Sequence, residues 1–324
     1  MCVKIWFFLI LSCIYDLLLF NKETKIKMAR LKKLTYGAVN ITMHPHSPKK
    51  YVELFRMARK NASNVNLRGD SFATLSYFYP YKKGQVISEP FEGEILKYTD
   101  IDINGDWFDI VKKDIASDEE KERIHIPDNL KPNVARFSFV FLPASHLLVY
   151  EMQDKGRDLT SRQIEKFLNE IFSHTRVIEK FGKINVTILT EPDSVERMLS
   201  LKGITCINMV TRRPNPDDLA SAESIMQKRF KRIGVIEEDK TYKSERGQEI
   251  KPDGELKQDA LIASRNGEVS IRRINETGLV EVHASSNLPL QRVELYDSGV
   301  TSVSDLLLLR AKSLADEFKR LLRK

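Results

Sequence analysis

Four carboxylates, Glu191, Asp193, Asp217 and Asp218, fall near the ends of strand-like runs in the middle of the chain. Carboxylates so placed could hold divalent cations for phosphoryl transfer, if they converge to within about 4 Å of the ions. Spacing along a chain does not decide convergence, and two of the four have a second reading. In "TRRPNPDDL" (211–219), Asn215 suits an N-cap, Pro216 the first helical position, and Asp217 and Asp218 the first turn. There their charge favours the positive end of the helix dipole and repels an incoming phosphate.

The helix opened by that signal runs on through "QKRFKRI" (227–233). At helical spacing Leu219, Met226, Phe230 and Ile233 share one face, and Lys228, Lys231 and Arg232 point away from it. A dense cationic face backed by an apolar stripe is the type of element that contacts nucleic-acid phosphates without reading bases. Lys228, Lys231 and Arg232, with Arg272 and Arg273, are therefore the expected phosphate contacts, and DNA should meet the helix at its basic end.

Other groups invite chemistry less. His44 and His46 flank Pro45 at the end of a strand-like run, where a metal site or a plain loop pair fits, and no second cluster stands at ligand spacing. "DIDINGDWFD" imitates the start of a calcium loop, with Gly105 in sixth place, but Val111 stands where the bidentate glutamate belongs. A hairpin turn at Asn104–Gly105 explains the same residues. The sequence carries no phosphate-cradling glycine loop, nucleophile elbow or zinc-protease helix. No cofactor is expected.

The elements that must position these residues follow from periodicity. "LTYGAVNITM" (34–43) reads as a strand, "PKKYVELFRMARKN" (48–61) as a helix, and "SFATLSYFYPY" as an aromatic-rich strand. "RFSFVFL" and "HLLVYEM" are adjacent strands. "DLTSRQIEKFLNEIF" follows as an amphipathic helix with Ile164, Phe167, Leu168, Ile171 and Phe172 on one stripe and Thr160–Gln163 as capping box. "INVTILT" and "ITCINMV" are strands flanking the short helix "PDSVERMLSLKG". The fold class is α+β: a mixed α/β core in ββαβαβα order, then a small antiparallel strand meander and a C-terminal helix with Leu307, Leu314, Phe318 and Leu321 on one side. The units are an N-terminal α+β unit at 28–124, a central α/β unit at 125–236, a polar linker or loop at 237–256 and the meander with its helix at 257–324. In the last, "DALIASRNGEVSIRRINETGLVEVHAS" reads as three strands joined at Asn266–Gly267 and Glu276–Thr277–Gly278.

Composition places bounds on partners. Charged residues at 30% and hydrophobic ones at 42% of 324 residues describe a globular chain, and a net charge of +7 favours an anionic partner. Residues 5–20 are apolar but interrupted by Asp16, short for a membrane span of roughly 20 residues. "MARLKKL" from Met28 reads as a cytosolic start, so 1–27 is either an upstream extension or a leader, and a membrane enters only through residues 5–20. Without 1–27 the net charge falls from +7 to +5, as Lys4, Lys22, Lys25 and Lys27 go with Asp16 and Glu23. Cys206 then stands alone, which fits a reducing cytoplasm.

Four stretches, "YGAVNITMHPHSPKKYVELF", "GEILKYTDIDINGDWFDI", "IPDNLKPNVARFSFVFLPASHLLVYE" and "PNPDDL", together resemble an uncharacterised bacterial domain-of-unknown-function family, number forty-seven forty-seven. That family carries no established activity to transfer. More distantly, the layout around "QKRFKRI" is similar to the DNA-binding component of the phage lambda Rex exclusion system. This second resemblance implies a homo-oligomeric, non-enzymatic, largely sequence-independent binder of double-stranded DNA in phage defence. The alternatives are a metal-dependent nuclease or other phosphoryl-transfer enzyme on the four carboxylates, and a sensor or protein-interaction module.

Overall fold

A computed structural model describes residues 31–61, 64–214 and 222–322. The proposed leader at 1–27, and Asn215, Pro216, Asp217, Asp218 and Leu219, lie outside the described residues.

The chain starts with β1 (Leu31–Thr42), α1 (Pro48–Asn61), β2 (Val65–Arg68), β3 (Ser71–Pro80) and β4 (Phe91–Thr99). An excursion carries β5 (Phe108–Asp109), β6 (Asp114–Ile115) and α2 (Asp118–Lys121). Then come β7 (Ala135–Leu142), β8 (Leu147–Glu151), β9 (Gln153–Asp154), β10 (Arg157–Asp158), α3 (Ser161–Phe172), α4 (Thr175–Phe181) and β11 (Asn185–Ile188). They are followed by α5 (Pro192–Leu199), β12 (Ile204–Arg212), α6 (Ala222–Ile233) and β13 (Glu237–Lys243). The chain closes with α7 (Gly254–Asn266), β14 (Gly267–Ile274), β15 (Val280–Ala284), β16 (Arg292–Asp297) and α8 (Val303–Leu322).

The α+β class holds, with antiparallel pairing throughout the ladders of the described residues. An eight-stranded sheet runs β11-β1-β8-β7-β4-β3-β2, and β16 shares with β11 the outer edge of β1. β1 is buried from Leu34 onward because both its faces are covered. Val39 and Ile41 join Phe55, Phe139, Phe167 and Phe172 in a core under α1, α3 and α4. Leu34, Tyr36 and Ala38 face the other way, onto Leu307, Leu314 and Phe318 of α8. The period-two alternation of a strand thus feeds two cores. α3 forms as its sequence reads: Thr160 accepts from the Gln163 backbone N–H, Gln163 reaches back to the Thr160 N–H, and the five stripe residues are buried. Each such side chain contributes about 1.5–3 kcal/mol on burial.

A second, four-stranded sheet runs β13-β12-β14-β15. One face carries Ile207, Met209, Val269 and Ile271, covered by Val195 and Met198 of α5 and Ala260 and Ala263 of α7. α7 also reaches β1 and β11. Asn40 of β1 donates to the Arg265 carbonyl at 3.2 Å, which ties the two sheets together.

Three expectations are corrected. No hairpin closes on Asn104–Gly105: both edges of β4 are taken, by β3 and β7, so the following segment has no ladder to join. The residues form only a small turn, in which Asp102 Oδ1 accepts from the Asn104 N–H at 3.0 Å. The polar stretch 237–256 is no simple linker, since 237–243 is the edge strand β13 and 254 opens α7. Residues 254–266 are helical, not the first strand of a meander, and Asp253 caps them by accepting from the Leu256 N–H at 2.8 Å.

Candidate nucleic-acid interface and histidine cluster

α6 sorts its cations by helical phase. Met226 and Phe230 turn inward against Ile262 of α7. Arg229, on the flank, grips Glu238 of β13 through both carboxylate oxygens at 2.7 and 2.6 Å. Lys240 extends this chain by pairing with Asp259 at 2.8 Å. Lys228, Lys231 and Arg232 are left on the outer face, exposed and without an ion pair among the described residues. Their spacing of i, i+3 and i+4 makes them neighbours on one surface, with Cβ atoms about 5–6 Å apart. Ile233 departs from the expected buried face: it is 56% exposed, because the helix ends there and Gly234, at φ 73, turns the chain away.

A buried polar network holds the other end of α6. Glu223, 3% exposed, accepts from Asn266 at 2.7 Å and pairs with Arg265 at 3.6 Å. Asn266 in turn meets Asn40 of β1. A buried carboxylate requires such partners, and the network joins α6 to α7 and, through Asn40, to β1, so the cationic face has a rigid base.

Arg272 and Arg273 separate. Arg273 lies on the covered side of its strand, where it pairs with Glu281 at 2.7 Å and donates to the Lys202 carbonyl. Arg272 points to the open face of the small sheet, opposite Cys206 in the ladder. α6 packs through α7 on the covered side, so the structure does not bring Arg272 together with Lys228, Lys231 and Arg232.

Of the carboxylates of the nuclease alternative, Glu191 and Asp193 are among the described residues, and Asp217 and Asp218 are not. Glu191 is held by Arg292 through two hydrogen bonds of 2.7 and 2.8 Å, and the same guanidinium binds Glu317 at 3.0 and 3.1 Å. Asp193 is exposed in the first turn of α5. Among the described residues no group of three His, Cys, Asp or Glu side chains is arranged to hold a metal ion.

The histidine pair has a third member that spacing alone does not reveal. His146, in the turn between β7 and β8, brings its ring to 5.0 Å from that of His46, which is 6.1 Å from that of His44. His146 is 3% exposed and sits at φ 56, a region uncommon for a side-chain-bearing residue. His44 Nε2 stands 2.9 Å from the Arg213 carbonyl, so Nε2 carries the proton and Nδ1 the lone pair. Burial lowers the His44 pKa to about 4, which keeps the ring neutral near pH 7. The only sequence signal for the trio is the junction of two strand ends, at 42 and 147, that pairing brings side by side.

The architecture defines an α+β protein with one large and one smaller antiparallel sheet and, among the described residues, two short two-stranded ladders beside them. The chain belongs to the family described as Domain of unknown function (DUF4747), whose family model matches residues 32–312. No curated protein matches the chain. No described helix is long and apolar enough to cross a membrane.

Proposed function

We propose that the protein is a non-enzymatic, largely sequence-independent binder of double-stranded DNA, acting in the cytoplasm in phage defence of the Rex exclusion type. One observation carries the reading. Among the described residues, Arg229 is the one cation of "QKRFKRI" neutralised by a carboxylate, and Lys228, Lys231 and Arg232 stand together without an ion pair on a braced helix. Three such contacts to phosphates release counterions, and the logarithm of the binding constant should fall against log salt with a slope of about −2.7 per copy. Two copies on one duplex would double that slope, and a homo-oligomer is the natural way for so small a footprint to gain affinity.

The test is fluorescence anisotropy of a labelled duplex between about 50 and 200 mM salt. Each of Lys228→Gln, Lys231→Gln and Arg232→Gln should reduce the slope by about 0.9 per copy and weaken all duplex sequences alike. DNA should also stay intact after incubation with magnesium or manganese. Absence of binding at the lowest salt, or a slope that the triple variant leaves unchanged, sinks the proposal. A protein partner is the second reading, favoured by Ile225 at 68% and Ile233 at 56% exposure beside the same cations. Ile225→Gln separates the two, since it adds no charge and DNA contact tolerates it better than an apolar interface does.

A further inference from the structure

The open face of the small sheet carries a second cationic site, on the side away from the α6 surface. Residues directly opposite in a ladder share a face, and Lys243 of β13 and Arg272 of β14 both oppose Cys206 of β12. A small, half-buried thiol therefore separates two long cations whose Cα atoms lie about 10 Å apart across three strands. Both are exposed and lack an ion pair among the described residues, and the same holds for Arg246 in the turn after β13. With Lys251 they line a cavity of about 700 Å³. Of its two carboxylates, Glu249 accepts from the Gly203 N–H at 2.7 Å and pairs with Lys251 at 3.8 Å, while Glu245 is exposed.

Like charges converging on a concave surface repel, and Cys206, between Lys243 and Arg272, supplies nothing of opposite sign. An anion placed above Cys206 reverses that balance. It would accept charge-assisted hydrogen bonds from the Lys243 ammonium and from the guanidiniums of Arg246 and Arg272, which match phosphate geometry. The cavity has no aromatic lining, so base stacking is not what it offers. We infer that the cleft formed by Cys206, Lys243, Arg246 and Arg272 is a binding site for a phosphoryl anion of up to diphosphate size, as in a nucleotide tail or, as a monophosphate, at a phosphorylated strand end. This inference stands apart from the α6 reading, since it uses the opposite face of the sheet and none of the same residues.

Cys206 supplies the readout in the full chain. Its alkylation by iodoacetamide, followed by mass spectrometry of the Cys206 peptide, should be slowed by pyrophosphate. The protection should weaken about tenfold or more in apparent Kd for each of Lys243→Gln and Arg272→Gln, the loss of one charge-assisted hydrogen bond. Both side chains are exposed, so unchanged thermal unfolding is expected and confirms that the variants fold. ATP and duplexes with and without a 5′-phosphate form the source arms: protection by ATP alone assigns a nucleotide, protection by the phosphorylated duplex alone assigns a strand end. The Lys228→Gln/Lys231→Gln/Arg232→Gln variant should keep its pyrophosphate protection whatever happens to its DNA binding, so the two proposals fail separately. No protection by pyrophosphate at about 10 mM, corresponding to less than about 3 kcal/mol of binding, overturns the site. Protection that survives the double variant Lys243→Gln/Arg272→Gln overturns it equally.

Discussion

Replacing Glu151 by glutamine should stabilise the protein at pH 8 and leave it almost unchanged at pH 4.5. Glu151 ends β8 opposite Tyr36 of β1, on the face of the large sheet that α8 covers further along. Burial is the main cause of its raised pKa of about 7; the Ser138 N–H, 3.3 Å from Oε2, opposes the shift, and nearby Asp154 adds to it. The folded value lies above the ordinary value of 4.5. Below pH 4.5 the group is protonated in both states and its full contribution to stability is present. As pH rises toward 7 the unfolded chain ionises first, and stability is lost until the folded group ionises too. A shift of this size corresponds to at most about 3.4 kcal/mol, and partial solvent access reduces the expected effect to about 1–2 kcal/mol. Glutamine keeps the shape and abolishes the titration. Urea unfolding of both proteins at pH 4.5, 6 and 8 gives the difference directly, and other titrating groups cancel from it. A stability difference between the two proteins that is constant across these pH values would show that Glu151 is ionised in the fold and that the burial argument is wrong.

His44 acts with the opposite sign. Its folded pKa of about 4 lies below its ordinary 6.5, so its contribution is complete above pH 6.5 and is lost as pH falls toward 4. His44→Gln retains a donor near the Arg213 carbonyl, and the acid-side loss of stability between pH 6.5 and 4 should shrink by about 1–2 kcal/mol in urea titrations. No change in that window would place a charged imidazole in the fold. Gly267→Ala tests the junction between α7 and β14, where an added Cβ would lie 2.0 Å from the Val210 carbonyl oxygen. Because backbone cannot move aside as a side chain can, about 2–4 kcal/mol of destabilisation is expected, with exchange protection lost first in β12 and β14. A variant as stable as the parent would mean that the strands do not approach so closely.

What the sequence disclosed depends on where each element's stability comes from. α3 was legible because its cap and its apolar stripe are both local: Thr160, Gln163 and five large side chains specify it within one segment. β13 was not, because "EEDKTYK" is an edge strand with no apolar face to show. Its order comes from the ladder to β12 and from Arg229–Glu238 and Lys240–Asp259, all contacts between distant residues. Such a charged edge also resists pairing with another chain. In 254–266 the run Ala260–Ala263 is apolar without a visible period, and the Asp253 cap was the local sign of a helix. The histidine trio needed β1 and β8 to be paired before His146 could join His44 and His46.

The same logic governs the basic residues on which the functional reading rests. Charge was visible in the sequence, but its availability was not. Alternation along β14 sends Arg273 to Glu281 and Arg272 to an open cleft, although the two are adjacent. Helical phase likewise gives Arg229 to Glu238 and leaves Lys228, Lys231 and Arg232 to solvent. A cation already paired with a carboxylate has little left to offer a phosphate, since binding it elsewhere requires breaking the first contact. The residues able to hold an anion are those that secondary structure has separated from their neighbours' carboxylates. By that criterion the exposed cations fall on two distinct surfaces, one on the outer face of α6, where the proposed duplex contacts lie, the other in the cleft over Cys206, where the inferred diphosphate-sized anion would sit.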